Sequence, residues 1–268
     1  MLLSQQISNK NRKPSYHFRD FILNSINPLA EKQFKIFIDF DGTITKNDVG
    51  EEIFRKFVDE KVVSIIVDDL LTDKISSREC WEALCLAASA IDKTEFDKFI
   101  LSQQIEPTLH RFIEYCSKNN FPVFILSDGF DYYIDRIFSK ENLIHLPYYS
   151  NKLQLTDDGI LIPSFPYFSA ECRSSSNCKQ NHIIANSSEE DYTVYIGDGS
   201  SDIDAVQYVD FIFAKDSLLR FCEINRITFS PFRDFDDVIV KLDGLLSKKR
   251  LKKRHQAELK RREAYLAE

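Results

Sequence analysis

No apolar run approaches the roughly 18 residues needed to cross a bilayer. Met1-Leu2-Leu3 gives way at once to the polar residues 4–14. Neither a membrane span nor the apolar stretch of a signal peptide is expected, and a cytoplasmic setting follows. No internal repeat is evident. Net positive charge is lacking outside the last segment: residues 247–268 hold nine Lys/Arg against three Glu, yet the whole chain carries -7. The body is therefore acidic, which opposes nucleic-acid binding and leaves only the basic tail to meet an anionic partner. Cysteine is thin, with six residues scattered at 80, 85, 116, 172, 178 and 222. A 268-residue chain with 43% hydrophobic and 13% aromatic residues fills a core without disulfide staples, so reduced thiols are expected. Cys172, Cys178 and His182 lack a fourth partner, which sets a zinc site aside.

What is present is a rhythm of short, apolar, β-branched segments that stop abruptly in polar loops. Residues 34–39 run into Asp39-Phe40-Asp41-Gly42-Thr43, 122–126 into Ser127-Asp128-Gly129, and 192–196 into Gly197-Asp198-Gly199. A fourth, 210–214, ends at Lys215-Asp216. Helical patterns follow at 108–120, 130–139, 178–187, 202–208 and 216–225. Strand, loop and helix in alternation predict a parallel sheet covered on both faces, with ligands beyond the carboxyl ends of its strands.

The expected core is 34–45 with 105–246. Residues 46–104 read as an amphipathic helical insertion placed over the site like a lid. Asp157-Asp158-Gly159 predicts a hairpin. Residues 1–33 form a polar extension whose Phe18, Phe21, Ile22 and Leu23 suggest a helix packed on the body. From Leu245 onward a solvated basic helix is expected, with 247–268 as the tail.

Asp39 and Asp41 centre the chemistry. Two carboxylates separated by one residue repel each other unless a cation lies close, and an oxygen-preferring ion such as magnesium suits them. Asp198 and Asp202 add two carboxylates at the same edge, and Thr43, Ser200 and Ser201 add hydroxyls. Lys179 supplies a cation for the cluster and for a bound phosphate. Ser127, with the backbone donors of Asp128 and Gly129, opens a helix and suits phosphate oxygens. Asp48 reads either as a substrate-side residue at the edge of the insertion or as a helix cap.

These motifs, in this order across about 165 residues, resemble the haloacid dehalogenase superfamily. The helical insertion after the first motif resembles its phosphoserine-phosphatase branch. The region 151–231 is similar to a methionine-salvage branch acting on 2-hydroxy-3-keto-5-methylthiopentenyl 1-phosphate. The resemblance implies an α/β, Rossmann-like parallel sheet with a small helical cap after the first strand. It implies a magnesium-dependent phosphatase for a small phosphorylated metabolite. Asp39 would be the nucleophile and Asp41 the acid/base. Asp39, Asp198 and the Asp41 carbonyl would hold magnesium, supported by Asp202, and Ser127 and Lys179 would hold phosphate. Where phosphoserine phosphatases carry Ser-Gly-Gly, this chain reads Ser127-Asp128-Gly129, which leaves phosphoserine, the salvage intermediate and other phosphomonoesters open. A non-catalytic binding protein on the same fold is the competing reading.

Overall fold

The computed structural model describes residues 33–172 and 174–267; the helix expected near Phe18 lies outside them. Strand β1 (Phe34–Asp39) is central, with Phe34, Ile36, Phe37 and Ile38 wholly buried. Phe34, Ile36 and Ile38 join one apolar cluster, while Phe37 joins another with Leu126, Ile183 and Tyr195. A strand covered on both faces calls for a near-continuous apolar run, which this segment has but for Lys35, half-buried and paired with Asp191 at 3.6 Å.

Strands β2 (Val123–Phe130) and β5 (Tyr192–Gly197) flank β1 in parallel. With β3 (Tyr148–Leu155), β4 (Leu161–Ser164), β6 (Phe211–Ala214) and β7 (Ser230–Pro231), the sheet has the order β4-β3-β2-β1-β5-β6-β7. Only β4 is antiparallel, paired with β3 in the expected hairpin. Helices α5 (Leu109–Lys118), α6 (Asp131–Lys140), α7 (Lys179–Ala185) and α8 (Asp216–Ile224) accompany the sheet strands.

Between the β1 loop and α5 come α1 (Val49–Phe57), α2 (Glu60–Leu71), α3 (Ser77–Ala87) and α4 (Lys93–Ser102). Each starts where a side chain satisfies a free backbone N–H: Asp48, Asp59, Ser76 and Asp92 accept from Glu51, Lys61, Glu79 and Glu95 respectively. The Glu79 carboxylate returns to the Ser76 N–H, closing a capping box on α3. The excursion leaves and rejoins the core through one antiparallel bridge between Thr45 and Ile105. The Lys46 N–H donates to Gln104 O at 3.0 Å, and the Glu106 N–H to Ile44 O at 2.8 Å.

Three expectations need correction. The helix foreseen over 202–208 is two short 3-10 turns, Ser200–Asp202 and Ala205–Tyr208. The Asp202 carboxylate turns inward to accept the N–H groups of Asp198 and Gly199 at 3.2 Å, which keeps that turn tight. The run from Leu245 is not one continuous helix. An unforeseen α9 (Phe235–Leu246), capped by Asp234, stacks Phe235 on Phe112 at 5.1 Å, and α10 (His255–Ala267) follows a break. Nor is the tail solvated throughout. Arg261 is only 2% exposed; it donates to both Asp210 carboxylate oxygens, to Thr193 Oγ1 and to Tyr208 O. Charge counting marks Arg261 as surface, whereas a buried carboxylate at the amino end of β6 takes it inside. Among the described residues, no helix is long and apolar enough to cross a membrane.

Candidate active site

Strand register gathers the acidic loops. Asp39 pairs with Leu126, next to Ser127, and Ile38 pairs with Ile196, two residues before Asp198. Asp39, Ser127 and Asp198 thus share the carboxyl edge of the three central strands. The loop after Asp39 turns at Gly42, whose φ of +75° suits glycine and where a Cβ would lie 2.6 Å from Asp198 Oδ2. Thr43 donates its hydroxyl to Asp198 Oδ1 at 2.7 Å, fixing that carboxylate.

Asp39, Asp198 and Asp202 each place an oxygen within 4.8 Å of the others. Burial first, and then the charge of Asp202, push Asp39 well above the usual carboxylate range and Asp198 up to about 6. Such mutual strain among hard oxygen donors is the condition a divalent cation relieves, so the donor set fits magnesium. Asp202 is already held by the Lys179 ammonium at 2.6 Å and the Tyr195 hydroxyl at 2.5 Å, besides its two backbone donors. The Asp41 carboxylate lies outside this cluster. It accepts the Val49 N–H at 3.1 Å, the Ser127 hydroxyl at 3.1 Å and the Tyr133 hydroxyl at 2.7 Å. Burial, then the charge of Asp48, push its pKa up to about 7, poised to give and take a proton near neutrality.

Lys179, 1% exposed, opens α7 and reaches Asp39 at 2.5 Å, Asp202 at 2.6 Å and Ser201 Oγ at 2.9 Å. Burial alone would favour the neutral amine, but Asp202 and Asp39 outweigh it and raise its pKa. Ser127 is buried, its hydroxyl accepting the Gly129 N–H at 2.9 Å while donating to Asp41. Gly129 must remain glycine: a Cβ there would meet the Tyr133 hydroxyl at 1.5 Å. Asp48 caps α1 and also faces the cavity, so both of its expected roles have a physical basis. Asp128, expected to offer its backbone N–H to phosphate, directs its carboxylate to Ser77, Ser176 and Asn177. Tyr133 and Tyr195 went unnoticed in the sequence; an aromatic on a helix or a buried strand looks like ordinary core.

Above this edge lies a cavity of about 390 Å³. Asp39, Asp41 and Asp198 line its floor, and Val63, Val67, Leu70, Ile75 and Leu84 of the helical excursion line its roof. The expectation of reduced cysteines fails at one pair. Cys172 and Cys178 form a disulfide with Cα atoms 5.5 Å apart, because the loop before Lys179 folds back on itself; this also removes them as metal ligands. Cys80, Cys85, Cys116 and Cys222 are free and buried.

Residues 36–207 match the model of the haloacid dehalogenase-like hydrolase family. The chain is 29% identical over 221 residues to the 2-hydroxy-3-keto-5-methylthiopentenyl-1-phosphate phosphatase of Bacillus mycoides (strain KBAB4), covering 80% of this chain and 98% of that one. It is 28% identical over 222 residues to the protein of that name from Bacillus cereus (strain ATCC 10987 / NRS 248), with the same coverage. A phospho-aspartyl intermediate analogue of phosphoserine phosphatase superposes with a TM-score of 0.61 at 19% identity, over 79% of this chain and 99% of that one. Cytosolic 5'-nucleotidase IIIB bound to cytidine gives 0.52 at 15% identity, over 92% and 90%. At such identities the structural likenesses concern the fold. The family match, in contrast, runs from within β1 to beyond Asp202 and takes in every acidic residue gathered at the sheet edge, so the chain belongs to the haloacid dehalogenase-like hydrolases.

Proposed function

We propose that this enzyme is a phosphatase that cleaves small phosphomonoesters through an aspartyl phosphate on Asp39. The observation that carries the reading is the division of labour between two carboxyls two residues apart. Asp39 is gripped by Lys179, while Asp41 is turned away towards Ser127 and Tyr133 with its pKa near 7. A magnesium ion held by Asp39 and Asp198, with Asp202 behind them, would neutralise phosphate charge.

In the first step an Asp39 oxygen bonds to phosphorus, the ester P–O bond breaks, and the leaving oxygen takes the proton of Asp41. In the second, Asp41 draws a proton from water, whose oxygen attacks phosphorus. Inorganic phosphate departs and the Asp39 carboxylate is restored. Lys179 and Ser127 hold the phosphate oxygens, and residues 46–104 act as the lid that keeps bulk water out.

For the organic part we favour an uncharged, partly apolar group, as in 2-hydroxy-3-keto-5-methylthiopentenyl 1-phosphate. The apolar roof supports this. Phosphate release from p-nitrophenyl phosphate with magnesium tests the chemistry. Asp39→Asn is expected to lose at least about 1,000-fold in kcat, and equal rates for the two proteins would remove the reading. A panel of phosphorylated metabolites tests the substrate class; faster turnover of phosphoserine than of uncharged esters would refute it.

A further inference from the structure

Asp128 follows Ser127 on β2, where a second negative charge does nothing to attract phosphate. Both of its carboxylate oxygens are taken. Oδ2 accepts the Ser77 hydroxyl at 2.5 Å and lies 3.4 Å from Trp81 Nε1, two groups on α3. Oδ1 accepts the Ser176 N–H at 2.6 Å, the Ser176 hydroxyl at 2.8 Å and the Asn177 N–H at 2.9 Å. Ser77, Ser176 and Asn177 are themselves buried. Asn177 then donates its amide to Ser127 O at 2.7 Å and to Tyr149 O at 2.9 Å. Two residues later the same loop delivers Lys179 to Asp39. One carboxylate therefore joins the helical excursion to the segment that places the site's ammonium.

We infer that Asp128 is a positioning residue that fastens α3 to the catalytic loops, so that seating of the excursion and placement of Lys179 depend on the same anion. Hydrogen bonds to an ionised acceptor are the strong ones, and a buried donor left without its acceptor is penalised. Losing this carboxylate frees donors on both sides at once. The kinetic consequence rests on the phosphatase reading; the mechanical one does not. The chain holds a single tryptophan, Trp81, set edge-on to Phe130 at 5.1 Å and pointing its N–H at Asp128. Its fluorescence reports the seating of α3 without any turnover.

The test compares wild type with Asp128→Asn, Ser77→Ala and the double variant. Asp128→Asn and Ser77→Ala are each expected to shift Trp81 emission to the red and to increase its quenching by acrylamide. With p-nitrophenyl phosphate and magnesium, Asp128→Asn should lower kcat by about tenfold or more. Ser77→Ala should act mainly on KM, because it frees the excursion and leaves the Ser176 side intact. Adding Ser77→Ala to Asp128→Asn should change neither readout further. Wild-type emission and quenching in both single variants would overturn the inference, as would full additivity in the double variant. Ser77→Ala removes one hydroxyl and is expected to fold, so its fluorescence decides even if Asp128→Asn does not fold. A wild-type protein that releases no phosphate would sink the phosphatase reading and leave the optical arm decisive for Asp128.

Discussion

Replacing Lys179 by methionine separates the role of a buried ammonium from that of a bound cation. Lys179 is 1% exposed and stands between Asp39 and Asp202, with Asp198 nearby. Methionine fills a similar volume but removes the ammonium in contact with Asp39 and Asp202, leaving Lys215 to act on Asp198 alone. Removing one partner of a buried pair costs about 3–5 kcal/mol. At about 2–4 °C per kcal/mol for a chain of this size, the metal-free variant should melt about 6–20 °C below wild type. Magnesium ions should restore part of that loss, since Asp39 and Asp202 then regain a close countercharge. The thermal shift on adding magnesium chloride should therefore be larger for Lys179→Met than for wild type, with calcium chloride and sodium chloride at equal ionic strength as controls. Differential scanning calorimetry with and without each salt reads this directly, independently of catalysis. A variant that melts within about 2 °C of wild type, or one whose magnesium shift is no larger, would refute the picture of Lys179 as the close countercharge of Asp39 and Asp202.

Gly129→Ala forces a Cβ into the Tyr133 hydroxyl, which is locked in the core, so we expect about 1–3 kcal/mol of destabilisation and a sharp fall in kcat. Tyr133→Phe in the same chain should recover part of the stability in urea titrations, and no recovery would mean the clash lies elsewhere. Burial holds His182 down to about 4, so the folded state keeps it neutral while the unfolded chain protonates near pH 6.5. The unfolded state binds more protons between those values. Stability present above about pH 6.5 thus falls as pH drops towards 4, by at most about 3 kcal/mol. Asn177 donates its amide twice, so its Oδ1 accepts the His182 Nε2–H at 2.7 Å, and His182→Gln should keep that bond while flattening the pH dependence of urea unfolding. An unchanged slope would exclude His182 as the cause. Arg261→Met should cost about 3–5 kcal/mol by removing the ion-pair partner of buried Asp210, which keeps only its Thr193 and Arg254 N–H contacts, with kcat unchanged; a stability loss below about 1 kcal/mol would show the pair to be incidental.

The sheet and the acidic loops were legible for one reason. Strands buried on both faces admit few polar residues until they end, so mainly apolar runs such as 34–38 and 192–196, broken only by Lys35 and Thr193, mark both the strands and the loops beyond them. Asp39, Asp41, Ser127 and Asp198 sit at those ends and were visible as soon as the strands were, while Lys179 was visible as the basic residue opening the helix ahead of β5. Side chains that serve the site from inside an element were not. Tyr133 on α6 and Tyr195 on β5 bring hydroxyls to Asp41 and Asp202, but their rings satisfy the apolar pattern and hide the polar tip. Long-range polar pairings were equally invisible. The destination of Arg261 lies 51 residues away at Asp210, and that of Asp128 lies 51 residues back at Ser77, distances over which composition carries no signal. The disulfide between Cys172 and Cys178 depends on a local fold-back that spacing alone does not fix.

The bridge between Thr45 and Ile105 brings both ends of a long excursion to one point on the core. A segment tethered in this way has already met its loop-closure entropy, and lengthening or shortening it changes that entropy only logarithmically. If the excursion meets the organic half of a substrate, as proposed above, that surface can be exchanged wholesale while the acidic residues stay where β1, β2 and β5 put them. A graft of a foreign helical segment between these two residues should keep the reaction and change the clientele, provided that it brings its own partner for Asp128.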